Sequence, residues 1–142
     1  MIVRSILKSK GGKIESVAPA TSILDVSKIL QQKRIGAVLV MDGQEIKGVL
    51  SERDIVRGIC TYGADVLTRP AGDLMTRQVV TCEMDDTVHA LMELMTNNRI
   101  RHLPVLDQGR LSGIISIGDV VKNRIAETEM EARALKEYIV TG

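Results

Sequence analysis

With 142 residues, of which 44% are hydrophobic, the chain is long enough to bury the core of one compact domain or two very small ones. Its 19 basic and 18 acidic residues leave a net charge of +1, and only 1% of its residues are aromatic. These values predict no general attraction to nucleic acids or anionic membranes, and no stacking platform for bases. The sequence has two cysteines and no Cys/His spacing typical of a metal site, which predicts a protein without disulfides or a bound metal. It also has no apolar run like that of a signal peptide and no apolar stretch of about 18 residues. We therefore expect a cytoplasmic protein that does not span a membrane.

The first half of the chain reads as alternating strands and helices. Its predicted elements are, in chain order, a strand at 14–17, a helix at about 22–33, strands at 37–41 and 48–50, and a helix that begins at Ser51. The apolar residues Ile23, Val26 and Leu30 share one face of the first helix. The continuous apolar run at 37–41 is typical of a strand that is covered on both faces.

The second half repeats the first half at a fixed offset of 65 residues. The segment Gly48-Val-Leu-Ser51-Glu-Arg-Asp54 matches Gly113-Ile-Ile-Ser116-Ile-Gly-Asp119, and the preceding strands and helix align without a gap. A repeat array needs about three copies to be stable as a solenoid. Two copies therefore predict an α/β fold in which two β-α-β-β-α motifs close on each other with pseudo-twofold symmetry.

The repeat divides the chain into four predicted regions. They are a first motif with its N-terminal segment at 1–62, a linker with a short helical turn at 63–77, a second motif at 78–126, and a C-terminal helical tail at 127–142. Residues 71–75 in the linker loosely echo the apolar pair in residues 3–7. A long helix would place five apolar residues of the second motif and the tail on one stripe: Val121, Ile125, Ala132, Leu135 and Ile139.

The two Ser-x-x-Asp segments carry the candidate chemistry. Ser51 with Asp54, and Ser116 with Asp119, stand where an apolar strand meets a helix N-terminus. Free N–H groups and the helix dipole attract phosphate there, and a carboxylate one turn later can accept bonds from ribose hydroxyls. The same pattern is also that of an ordinary N-terminal capping box. Its occurrence twice at equal offset favours the ligand-binding interpretation.

Gly-apolar-apolar-Ser-x-x-Asp, repeated within a β-α-β-β-α unit, resembles the nucleotide-binding signature of CBS motifs. The run Arg101-His102-Leu103-Pro104-Val105, followed by Asp107, resembles it too, as do "SERD" in the first copy and "SIGD" in the second. The resemblance covers about residues 3–125 and implies a stand-alone pair of CBS motifs, also called a Bateman module. It implies clefts between the two motifs that bind AMP, ADP, ATP, NAD or S-adenosylmethionine, a homodimer, and regulation of a partner protein.

The resemblance also implies roles for individual residues. Asp54 and Asp119 would hold ribose hydroxyls, and Ser51 and Ser116 would contact ribose or phosphate. Further implied contacts to the base or phosphate are Ser16, Thr81, Arg101, His102, Pro104 and Arg53.

The two copies differ at several of these places. Residues 36–39 read Gly-Ala-Val-Leu where residues 101–104 read Arg-His-Leu-Pro, and Arg53 stands where the second copy has Gly118. We therefore expect the cleft that contains Asp119 to bind better, with Arg53 reaching across to the phosphate.

The sequence leaves three classes of function open. A sensor that binds an adenosine nucleotide and modulates an unidentified partner protein is favoured. The alternative is a ligand-free dimerisation or partner-docking module. An enzyme is disfavoured because the sequence contains no Cys-His or Ser-His-Asp arrangement, no metal cluster and no P-loop, so no catalytic residue and no catalytic cofactor are expected.

Overall fold

The computed structural model describes residues 1–141, which form two compact units. One unit is Lys13–Val79, and the other combines Met1–Gly12 with the chain from Val80 onward. The helices are α1 (Val3–Lys10), α2 (Ile23–Lys33), α3 (Glu52–Tyr62), α4 (Ala71–Leu74), α5 (Val88–Asn98) and α6 (Ile117–Thr141). The strands are β1 (Ser16–Val17), β2 (Ala37–Asp42), β3 (Glu45–Ser51), β4 (Cys82–Glu83), β5 (His102–Asp107) and β6 (Arg110–Ser116), and a 3₁₀ helix spans Gly63–Thr68. The predicted order β-α-β-β-α is therefore confirmed in both repeats. The last residue of the predicted tail, at 142, lies outside the described residues.

The unit Lys13–Val79 is built on a three-stranded sheet in the order β1-β2-β3. Strand β1 pairs parallel with β2, which makes α2 the crossover, and β2 and β3 form an antiparallel hairpin. Helix α2 begins where Ser22 Oγ accepts a hydrogen bond from the Asp25 N–H at 3.2 Å. Its predicted apolar face is buried against the sheet, as Ile23, Val26 and Leu30 all lie in the core.

The other unit repeats this sheet in the order β4-β5-β6. Val17 pairs with Val40 in the first sheet, and Cys82 pairs with Val105 at the same offset in the second. Each hairpin also has its one register irregularity at the same place, directly after Val40 and directly after Val105. The two copies therefore share their backbone hydrogen-bonding scheme as well as their sequence pattern.

The N-terminal segment packs on the second repeat. The predicted region 1–62 groups this segment with the first repeat, which it precedes only in sequence. Val3, Ile6 and Leu7 of α1 are buried in the core of the second repeat. The Val3 N–H also donates to the Asp86 carbonyl at 2.9 Å. Because α1 is too short to be stable alone, its place is decided by where its apolar face can be buried.

The linker takes the corresponding place on the first repeat. Ala71 of α4 is buried in that core, with Met75 packed beside it. A Cβ added at Gly48 would come within 2.8 Å of Met75 Sδ, and one added at Gly113 within 2.7 Å of Leu7 Cδ2. Each repeat is thus completed by a short helical segment that lies outside it, seated on a glycine of its last strand.

Helix α6 continues for 25 residues, so it runs without a break through the predicted boundary between 126 and 127. Near its middle, Glu127 Oε1 lies 3.4 Å from the terminal amino group of Met1. No helix within residues 1–141 combines the length and the hydropathy that crossing a membrane requires.

Candidate functional site

The first candidate helix start, at Ser51, forms a complete capping box. The Asp54 N–H donates to Ser51 Oγ at 3.3 Å, and the Ser51 N–H donates back to Asp54 Oδ2 at 2.9 Å. The Ser51 hydroxyl also donates to Asp54 Oδ2 at 3.1 Å. The sequence pattern therefore performs its ordinary capping role here, whatever else it does.

The carboxylate of Asp54 is also engaged through its second oxygen. The Thr76 hydroxyl donates to Asp54 Oδ1 at 3.1 Å, and Arg57 Nη1 lies 3.8 Å from the same oxygen. Thr76 is itself held by two backbone bonds with Val49, at 3.0 and 2.9 Å. With only 7% of the residue exposed, Asp54 ties the start of α3 to the linker.

The second candidate helix start, at Ser116, has the same two capping bonds but different surroundings. The Asp119 N–H donates to Ser116 Oγ at 3.2 Å, and the Ser116 N–H donates to Asp119 Oδ2 at 2.9 Å. The Asp119 side chain is 22% exposed, so this carboxylate reaches solvent where that of Asp54 does not.

Lys10 is the ion-pair partner of Asp119. Its Nζ lies 2.6 Å from Asp119 Oδ2 and donates to the Ile114 carbonyl at 2.7 Å. Burial raises the pKa of Asp119, but the hydrogen bonds from Lys10 and Ser116 and the positive charge of Lys10 outweigh it and hold that pKa below its usual value. The carboxylate is therefore anionic at neutral pH. Both the capping bond and the ion pair use Oδ2, the same carboxylate oxygen.

Two further predicted residues lie beside this helix start. The Ile117 N–H, at the first residue of α6, donates to the Arg101 carbonyl at 2.8 Å. His102 pairs with Ser116 across the β5–β6 hairpin. The sequence-predicted residues Arg101, His102, Ser116 and Asp119 are thus brought together within one unit.

The remaining predicted residues belong to other elements of the fold. Pro104 is buried in β5 opposite Ile114, and Thr81 is half-buried directly before β4. Ser16 is exposed in β1 and Arg53 is exposed in the first turn of α3, both in the unit Lys13–Val79. Across residues 1–141, no group of three or more His, Cys, Asp or Glu side chains could hold a metal ion.

Sequence reasoning missed the two residues that distinguish the helix starts, Lys10 and Thr76. Both come from the segments that precede each repeat, where the fixed offset no longer applies. The basic last turn of α1, with Lys8 and Lys10, is accounted for by the dipole of that helix and gave no signal of a carboxylate partner.

The family model for the CBS domain matches residues 3–60 and 71–126, so the chain belongs to the CBS domain family and carries two tandem copies. The resemblance inferred from the Ser-x-x-Asp repeats is confirmed.

Three similar proteins are informative about this chain. A CBS domain-containing protein of Agrobacterium tumefaciens, ATU1752, has a solved structure that superimposes with a TM-score of 0.86 at 42% identity, covering 87% of this chain and 99% of that one. The mitochondrial CBS domain-containing protein CBSX3 of Arabidopsis thaliana is 32% identical over 149 residues, which is 99% of this chain and 72% of its own length. The CBS domain protein PAE2072 of Pyrobaculum aerophilum, solved in complex with AMP, is 27% identical with a TM-score of 0.73, over 84% of this chain and 89% of that one.

Proposed function

We propose that this chain is a regulatory module that binds an adenosine nucleotide, with the ribose held by Asp119 at the start of α6. The observation that carries the proposal is the partly exposed, anionic carboxylate of Asp119, set beside Ser116 at a helix N-terminus. Membership in the CBS domain family and the AMP complex of the Pyrobaculum aerophilum protein support the ligand class.

The chemistry of the helix start suits both parts of such a ligand. A carboxylate accepts hydrogen bonds from two vicinal ribose hydroxyls, and these bonds are stronger than neutral ones because the acceptor is charged. Since capping and the ion pair both use Oδ2 of Asp119, Oδ1 is the oxygen proposed for the ribose. The N–H groups and dipole of a 25-residue helix favour a phosphate nearby, and the ammonium of Lys10 adds positive charge.

The Asp54 helix start is assigned a structural role in this proposal. Its carboxylate accepts bonds from Ser51 and Thr76 and is almost fully buried, so a ribose would have to displace the Thr76 hydroxyl. Arg101, His102, Thr81 and Pro104, in the same unit as Asp119, are the proposed contacts to the base or phosphate. The roles of Ser16, Ser51 and Arg53 in the other unit stay predictions from the sequence. AMP, ADP, ATP, NAD and S-adenosylmethionine are all compatible with a ribose held in this way.

The output of the module is proposed to pass to a separate protein and not to chemistry on the ligand. A ligand that binds one conformation better than another shifts the population of the two, and that shift is a signal a partner can read. A homodimer in the cytoplasm is the form in which we expect the module to act.

One observation favours a second candidate function, a docking module without a ligand. Both aspartates turn back to cap their own helices, and Lys10 already occupies Oδ2 of Asp119. In that case neither helix start would respond to adenosine compounds.

Thermal unfolding in the presence of AMP, ADP, ATP, NAD, S-adenosylmethionine and adenosine separates the two candidates. We expect at least one nucleotide to raise the Tm by mass action, and Asp119→Ala to abolish that rise. Thr87→Ala is the matched control, because it removes the N-cap of another helix, α5, in the same unit. Thr87 Oγ1 accepts a hydrogen bond from the Ala90 N–H at 3.0 Å. It should lower the Tm but keep the ligand-induced rise. No response of the wild type to any compound would reject the sensor in favour of the docking module.

A further inference from the structure

Beside the start of α3, one residue of the linker contacts two parts of the first repeat. Thr76 pairs with Val49 of β3 through two backbone hydrogen bonds, at 3.0 and 2.9 Å. Its hydroxyl also donates to Asp54 Oδ1 at 3.1 Å. Thr76 thus joins the last strand of the repeat to the aspartate of the helix start, and it brings no charge to either.

Beside the start of α6, Lys10 has the corresponding contacts in the second repeat. Its Nζ donates at 2.7 Å to the carbonyl of Ile114, which lies 65 residues after Val49 and corresponds to it. It also donates to Asp119 Oδ2 at 2.6 Å. Lys10 therefore contacts the same strand position and the same aspartate of its repeat as Thr76 does, but with an ammonium in place of a hydroxyl.

The lengths of the flanking helices account for this difference. Helix α4 has four residues, and Met75 directly after it is extended, which brings the backbone of Thr76 alongside β3. Helix α1 has eight residues and ends at Lys10, so a side chain and not the backbone reaches the edge strand β6. The charge beside Asp119 is therefore set by one side chain, which a substitution can change without altering a strand pairing.

The charge of Lys10 decides what the start of α6 attracts. The N–H groups and the dipole of a helix N-terminus favour an anion, but a carboxylate in the first turn opposes that attraction. The ion pair with Lys10 compensates the negative charge of Asp119, so the attraction of the helix start for a phosphate persists. The side chains of Lys10 and Asp119 are 31% and 22% exposed, so both charges are within reach of a ligand.

Lys10 also has a donor with which to bind a phosphate directly. An ammonium has three N–H donors. Within residues 1–141, those of Lys10 have two acceptors, Asp119 Oδ2 and the Ile114 carbonyl, which leaves one donor for a ligand. A hydrogen bond from an ammonium to a phosphate oxygen is stronger than one to a neutral acceptor. An uncharged ligand gains neither this bond nor the attraction of the helix start.

We propose that Lys10 selects the ligand of this site by charge. Adenosine compounds with an anionic group on the 5′ carbon of the ribose, as in AMP, ADP, ATP and NAD, bind more tightly than neutral adenosine. S-adenosylmethionine binds more weakly than AMP, because its sulfonium places a positive charge at that carbon. The inference rests on the proposed function, since it concerns the ligand held at Asp119. A 5′ phosphate is one sugar ring away from the hydroxyls on the carboxylate, within the Debye length of about 8 Å at physiological salt.

Isothermal titration calorimetry of the full chain with AMP, adenosine and S-adenosylmethionine tests this selection. The wild type should bind AMP about tenfold more tightly than adenosine, which is the amount expected of one hydrogen bond to a charged group. Lys10→Met should lose that factor for AMP, while its affinity for adenosine stays within about twofold of the wild type. The ratio of AMP to S-adenosylmethionine affinity should fall further, because the uncompensated Asp119 attracts the sulfonium. Lys10→Arg should retain the preference for AMP.

Lys8→Met is the matched control, because it removes the same charge from an exposed position of the same helix. It should leave the ratio of AMP to adenosine affinity unchanged. Each variant is titrated well below its Tm, so that a loss of folding is not mistaken for a loss of binding. The wild type alone gives a further test. Raising NaCl from about 0.1 M to about 1 M shortens the Debye length from about 10 Å to about 3 Å, and it should weaken the binding of AMP but not that of adenosine.

Three results would overturn the inference while the proposed function stands. Equal affinities of the wild type for AMP and adenosine, or tighter binding of S-adenosylmethionine than of AMP, would show that the site does not select anions. An equal loss for AMP and adenosine in Lys10→Met would show that Lys10 only positions Asp119. If none of the three compounds binds to the wild type, the proposed function fails and the inference fails with it.

Discussion

The helix starts at Asp54 and Asp119 have the same sequence pattern and the same capping bonds, but their carboxylates face different neighbours. Thr76, from the linker, completes the hydrogen bonding of Asp54 and closes it off from solvent. Lys10, from the N-terminal segment, forms an ion pair with Asp119 and leaves it partly exposed. A repeated motif thus fixes the cap, while the segment packed beside it decides whether the carboxylate is closed off or reaches solvent.

Replacing the two aspartates by alanine should separate these roles most strongly. Asp54→Ala removes a buried charged acceptor and leaves the Thr76 hydroxyl without its partner, so we expect a loss of about 3 kcal/mol in the free energy of unfolding. Asp119→Ala loses a cap and a partly exposed ion pair and should cost about 1 kcal/mol. Urea denaturation of both variants measures the difference. Equal losses would show that the two carboxylates have the same structural role.

Replacing Gly48 and Gly113, the two glycines that contact the flanking segments, should also lower the free energy of unfolding by unequal amounts. A Cβ at Gly48 would lie 2.7 Å from the Thr76 carbonyl oxygen, which is backbone, whereas one at Gly113 would meet only the Leu7 side chain. We expect Gly48→Ala to cost about 2 kcal/mol and Gly113→Ala about half as much, because a side chain can rotate away. Urea midpoints with unchanged m-values are the measurement. A larger loss for Gly113→Ala would contradict the packing described.

The sequence was sufficient to predict the elements of each repeat, because each depends on local pattern. The apolar faces of α2 and the caps at Ser51 and Ser116 follow from spacing alone. The role of Lys10 could not be predicted, since its partner is 109 residues away in the chain. The predicted first strands, at 14–17 and 79–82, are shorter in the structure, at Ser16–Val17 and Cys82–Glu83, where two residue pairs join each strand to its neighbour.

The ion pair of Lys10 with Asp119 should give a pH-dependent contribution to stability. A folded-state pKa below the unfolded value means that the contribution is fully present above the unfolded pKa of about 3.9. It is lost as the pH falls through the lowered folded pKa. Lys10→Met should therefore lower the free energy of unfolding by about 1 kcal/mol at pH 7 and by less at pH 3.

Lys8→Met is the control for this measurement, since Lys8 is an exposed neighbour on α1. An identical loss at both pH values, or an equal effect of Lys8→Met, would show that the ion pair is not the cause.

The two cysteines should differ in reactivity. Burial, with the nearby negative charges of Asp86 and Glu83, raises the pKa of Cys82 to about 12, whereas Cys60 is exposed. Because the thiolate is the reactive form, a thiol reagent at pH 8 should modify Cys60 rapidly in the native chain. In denaturant it should modify both Cys60 and Cys82. Rapid native modification of both thiols would mean that the core around β4 opens readily.

Asp119, and not Asp54, is proposed to hold the ribose of an adenosine nucleotide. Titration of AMP into the isotopically labelled wild-type chain, followed by amide NMR, compares both helix starts in one molecule without any substitution. We predict saturable shifts of the amide signals of residues 116–119, with those of residues 51–54 changing little. Shifts confined to residues 51–54, or no saturable shift at either helix start with any nucleotide of the panel, would contradict the claim.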